Sequence, residues 1–101
     1  MDRNETFDEA PMVAGFAYRE RLARLPDEFP ATLVPEPENR YNPRAVAVRT
    51  AEGKIGYVAP EVATAWYDML GAGGAACRVR KEPPERARDT GIAAYVRRLP
   101  S

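Results

Sequence analysis

Three tyrosines of this chain have cations beside them in sequence: Tyr18 next to Arg19, Tyr41 next to Arg40 and near Arg44, and Tyr57 three residues after Lys54. Flat rings take up unstacked bases and cations meet phosphates, so this pairing suits a single-stranded nucleic acid. Base–ring stacking contributes roughly 1–3 kcal/mol per base, enough for two rings to carry a usable affinity. Catalysis is poorly provided for. The chain contains no histidine, which removes the commonest general base and the commonest metal ligand. One cysteine, Cys77, and no histidine cannot build a structural zinc site from this chain alone. Glu36 and Glu38 resemble a carboxylate pair, but a proline-stiffened loop with no third acid in view suggests solvated charges. The expectation is a binding module with no cofactor, no metal and no enzymatic activity.

Those residues need elements to hold them. At 101 residues the chain has room for one domain with a modest core. Residues 1–10 carry four acids against Arg3, a balance of −3, and lack apolar periodicity, so they read as a disordered tail before a domain at 11–101. Residues 76–101 carry seven cations against three acids, +4, while the whole chain is neutral. A basic C-terminal third suits a polyanionic partner, and overall neutrality leaves open a protein-binding adaptor that offers a strand edge or a helix face.

Residues 12–18 read as a first strand. Tyr18, Leu22 and Leu25 then fall at helical spacing before Pro26. Residues 32–34 read as a second strand. The three prolines at 35, 37 and 43 make 35–44 a stiff loop. Residues 45–50 and 54–58 form a hairpin across Ala51-Glu52-Gly53, a turn-plus-bulge pattern with Gly53 at the left-handed position. Pro60 opens the main helix, whose apolar stripe is Val62, Ala65, Trp66, Met69 and Leu70, with Gly71 as its stop. Trp66 is expected in the core. Ala75, Cys77 and Val79 alternate with polar neighbours, giving a strand that buries the thiol and turns Arg78 and Arg80 outward. Residues 82–90 read as a loop and 91–99 as the last strand. Six short strands with one main and one short helix predict a mainly β, OB-like or SH3-like barrel.

The stretch LVPEPENRYNPRAVAV at 33–48, followed by GKIGYV at 53–58 and a helix, resembles the HIRAN domain family. That family's pattern is a strand ending in Glu-Pro, then Asn-Pro-Tyr-Asp-x-Asn-Ala-Ile-x-Val, then Gly-x-x-Ile-Gly-Tyr. VAGFAY at 13–18 is similar to its first strand, and the likeness covers about residues 12–99. The resemblance implies a modified OB-like barrel with a pocket for the 3′-hydroxyl end of single-stranded DNA. It implies base stacking at Tyr18, a place beside the strand end for Tyr41, and a hydroxyl contact at Asn42, where better-studied members have an aspartate. Ala17 and Pro60 stand where those members have an arginine and a lysine. With Arg19, Arg40, Arg44, Lys54 and Tyr57, these tyrosines and Asn42 complete the candidate site. The expected partner is single-stranded DNA or a DNA end, with a protein partner as the alternative. The expected state is a monomer in the cytoplasm, whose reducing conditions suit a chain in which Cys77 can form no internal disulfide and no leader or apolar run of membrane length stands out.

Overall fold

The computed structural model describes residues 9–71 and 73–99, apart from the side chain of Phe16. Short segments build the strands β1 (Glu9–Val13), β2 (Glu28–Glu36), β3 (Ala45–Thr50), β4 (Gly53–Val58), β5 (Ala75–Lys81) and β6 (Ala94–Arg98), with burial alternating along β1, the first part of β2 and β5. Three helices interrupt them: α1 (Phe16–Ala23), α2 (Pro60–Met69) and α3 (Pro84–Thr90). The strands close into a barrel in the order β1-β4-β3-β2-β5-β6, with every pairing antiparallel. Met12, Leu33, Val46, Val48, Ile55, Cys77, Val79 and Val96 fill the interior at zero exposure, and Trp66 of α2 joins them. The expected mainly β, six-stranded barrel is the observed fold.

Several boundaries move. β1 opens at Glu9 and stops at Val13, so it takes in two residues read as acidic tail and releases Tyr18 to α1. The rest of that tail, 1–8, lies outside the described residues. Gly15, in extended conformation, turns the chain into α1, which buries Leu22 and packs Tyr18 against the core. β2 is nine residues long, not three, and contains Pro30 and Pro35. The register explains this tolerance. Pro30 pairs only with Arg78 of β5 and Pro35 only with Val46 of β3, so each sits where β2 has one neighbouring strand.

The hairpin is where it was expected, with Gly53 at φ 120° facing Thr50. Its bulge lies deeper than the turn. Val48 pairs with Gly56 and Arg49 with Lys54, which leaves Ile55 as the extra residue. α2 packs against β3 and β4 and buries Ala63 and Trp66, with Val62, Tyr67 and Leu70 half-buried beside them. The stripe is therefore rotated from the predicted one: Ala65 and Met69 are exposed. β5 behaves as read, with Cys77 buried and burial pushing its thiol up to about 12. Residues 84–90 are helix rather than loop. Pro84 takes the first helical position, and Gly91 at φ 76° ends it in left-handed conformation.

Candidate nucleic-acid interface

The Ile55 bulge decides which side chains reach the outer face of β4. Residues three apart on a regular strand face opposite sides, but one inserted residue restores Lys54 to the side of Tyr57. Lys54 Nζ donates to the Tyr57 hydroxyl at 2.6 Å and is ion-paired to Glu36 Oε2, also at 2.6 Å. The Tyr57 hydroxyl in turn donates to Glu36 Oε1 at 2.9 Å. Glu36, expected to be a solvated charge, is instead half-buried and holds this network together. Burial disfavours its charge, yet hydrogen bonds from Lys54, Asn39 and Tyr57, with the ammonium charge, hold its carboxyl below the usual range. Lys54 is the mirror case: burial opposes its charge, and the contacts to Glu36 and Tyr57 outweigh it and raise its pKa. Burial first, then Glu36, raises that of the Tyr57 phenol.

The loop after β2 hangs on Asn39. Its Oδ1 accepts from the backbone amides of Tyr41 at 2.9 Å and Asn42 at 3.0 Å. Its Nδ2 donates to Glu36 Oε1 at 3.1 Å and to the Tyr57 hydroxyl at 3.4 Å. One side chain thus shapes the turn and ties it to the barrel. Asn42 continues the pattern, its Oδ1 accepting from the Arg44 amide at 3.0 Å. The loop presents Tyr41 at 90% exposure, packed on nothing.

Beside it opens a cleft of about 450 Å³, lined by Val13, Tyr18, Asn39, Arg40, Tyr41, Asn42, Ala45, Tyr57, Val58 and Pro60. Five of the eight candidate residues meet there: Tyr18, Arg40, Tyr41, Asn42 and Tyr57. The other three do not line it. Arg19 follows Tyr18 on a helix, where neighbours point about 100° apart, and lines a separate cavity of about 710 Å³ between α1 and α3. Arg44 turns to α2, ion-paired to Asp68 with its guanidinium 5.3 Å from the Tyr67 ring centre. Lys54 is committed to Glu36 behind Tyr57. Arg40 is the cation that remains at the cleft, exposed and with no hydrogen bond or ion pair among the described residues. Among the described residues, no carboxylate lines the cleft. Asn39 and Glu36 were missed as site residues; an asparagine two and three residues before the amides it caps was the readable signal.

Glu36 also sets a pH dependence. A carboxyl held below its usual value contributes stability that is complete above about pH 4.5 and is lost as pH falls through the lowered folded value. Glu36→Gln should therefore lower the melting temperature by a constant amount above pH 5. The gap to the unaltered protein should close as pH falls below 4.5. Melting curves between pH 3 and 7 read this directly, and a gap that stays constant to pH 3 refutes it.

The described strands thus form a mainly β domain, a closed six-stranded antiparallel barrel with an aromatic cleft on its outer face. A family model, described as HIRAN domain, matches residues 12–97, and the chain belongs to that family of nucleic-acid-binding, non-catalytic modules. No curated protein and no solved structure gives a significant match. Among the described residues, no helix is long and apolar enough to cross a membrane.

Proposed function

We propose that this domain binds single-stranded DNA and takes a strand end into the cleft, with the terminal base on Tyr41. The observation that carries this reading is the Tyr41 ring. It is almost wholly exposed, yet its backbone is fixed by Asn39 at the mouth of a cleft that also holds Tyr18, Tyr57 and Arg40. A ring carried on a fixed backbone loses less freedom on stacking than one on a free loop, which favours affinity. Tyr18 and Tyr57 form the walls against which a base or sugar would pack. The adaptor alternative is weakened in one of its forms. The described strands close into a barrel in which each has a neighbour on both sides, so no strand offers a whole free edge for a partner to extend.

The test is fluorescence anisotropy of a labelled single-stranded oligonucleotide over a range of salt. Each phosphate neutralised on a single strand contributes a slope of about −0.7 in log affinity against log salt. Arg40 supplies one contact, and Arg44 a second if its exposed pair with Asp68 opens. The expected slope is then about −0.7 to −1.4, shallow because Lys54 is spent inside the protein. A slope steeper than about −3 would move binding to the arginines elsewhere on the barrel. No measurable binding at low salt would leave the adaptor reading.

A further inference from the structure

The amide of Asn42 has a defined orientation. Its Oδ1 faces the Arg44 N–H at 3.0 Å, since the reverse placement would set two donors against each other. What is left for a ligand is Nδ2, a donor without an acceptor among the described residues. The rest of the cleft follows the same rule. The amides of Tyr41 and Asn42 are taken by Asn39, the Tyr57 hydroxyl is engaged with Lys54 and Glu36, and Pro60 has no N–H. The side-chain groups still unengaged besides two tyrosine hydroxyls are the Asn42 NH₂ and the Arg40 guanidinium. Both only donate, one is charged, and among the described residues no carboxylate lines the cleft to oppose an anion.

From this we infer that the cleft selects a strand end carrying a terminal phosphate over one ending in a hydroxyl. The inference rests on the reading of the cleft as a strand-end site and deepens it. A terminal phosphate monoester offers acceptor oxygens and up to one charge more than an internal phosphodiester. A terminal hydroxyl is neutral and draws no charge-assisted contact from these donors, although the Asn42 Oδ1 keeps a second lone pair beside the Arg44 amide and can accept from that hydroxyl. An aspartate at 42 would invert the choice. Either of its oxygens can keep the Arg44 amide, while the other becomes a charged acceptor that attracts a hydroxyl and repels a phosphate.

The experiment compares one oligonucleotide sequence in three forms: hydroxyl at both ends, 3′-phosphate, and 5′-phosphate. Anisotropy is read at one fixed salt concentration. One of the phosphorylated forms should bind about five- to tenfold more tightly than the hydroxyl form, the difference between a charge-assisted and a neutral contact. Which of the two gains assigns the strand polarity. Arg40→Gln should remove most of the preference, and Asn42→Asp should bring the ratio below one, both with melting temperatures close to that of the unaltered protein. Equal binding of all three forms overturns the inference and leaves strand binding intact. A tighter hydroxyl form overturns it as well. Failure of every form to bind removes the strand-end reading and this inference with it.

Discussion

Tyr41→Ala should weaken single-strand binding about 5- to 100-fold while leaving the melting temperature nearly unchanged. The magnitude is that of one lost base–ring stack, roughly 1–3 kcal/mol. The separation of the two effects follows from where the ring is. At 90% exposure it contributes almost no buried area, and a substitution of that kind usually costs no more than about 0.5 kcal/mol. The turn survives because the Asn39 carbonyl accepts from the backbone of residue 41, which alanine keeps. Anisotropy titrations and thermal melts of both proteins check the pair of outcomes. Unchanged affinity in a folded variant would show that Tyr41 is not a stacking platform. Tyr41→Phe sharpens the test, since it keeps the ring and should bind within about twofold of the unaltered protein.

The parts of the fold that could be read in advance are those whose cause is local. The β3–β4 hairpin follows from a glycine that must sit at φ 120°, and β5 from alternation of Ala75, Cys77 and Val79 with Ala76, Arg78 and Arg80. The failures have non-local or weak causes. Pro35 was read as the start of a loop and so argued against a long β2, and only the register shows that it, like Pro30, lies beyond the end of one flanking strand. α3 has no apolar stripe, so periodicity could not find it; Pro84 and Gly91 at its ends were the usable marks. The rotated face of α2 arises because Ala63 and Tyr67 pack inward and leave Met69 in solvent. A stripe counted at i, i+3 and i+4 does not distinguish these two faces.

The site divides along the same line. Arg40, Tyr41 and Asn42 come together with Tyr57 because a short loop and a hairpin place them, and sequence proximity reports that. The cations were over-counted because their partners are distant in sequence: Asp68 for Arg44 and Glu36 for Lys54. A Lys54 freed by Glu36→Gln would add a phosphate contact and steepen the salt slope, the opposite of what removing a binding residue does. Arg19 falls in the short helix as read and was misplaced by sequence proximity alone, since adjacent helical residues point about 100° apart. Tyr18 was also counted at the end of the first strand, and helical Tyr18 reaches the cleft because α1 packs over β4.

Gly56→Ala should lower the melting temperature by about 5–20 °C and weaken binding together with it. A Cβ at position 56 would lie 2.6 Å from the Val13 carbonyl oxygen and 3.1–3.2 Å from two atoms of the Met12 side chain. The nearest of these is backbone, and Met12 is wholly buried, so neither yields by simple rotation into solvent. Replacing glycine by alanine gains about 0.4–1 kcal/mol by restricting the unfolded chain. Forcing a methyl into a filled interior costs about 1–3 kcal/mol, and more where backbone must move, so the clash wins. At about 4–8 °C per kcal/mol for a domain near this size, the melting shift follows. The seam is also the barrel's thinnest. β1 meets β4 through only two residue pairs, Met12 with Val58 and Val13 with Tyr57. Val13, Tyr57 and Val58 all line the cleft, so opening the seam displaces a wall of the site. Gly71→Ala is the matched control, because nothing lies within 4 Å of a Cβ there and only the favourable chain effect remains. If both variants melt at the same temperature, close approach of β1 and β4 is not what requires glycine at position 56.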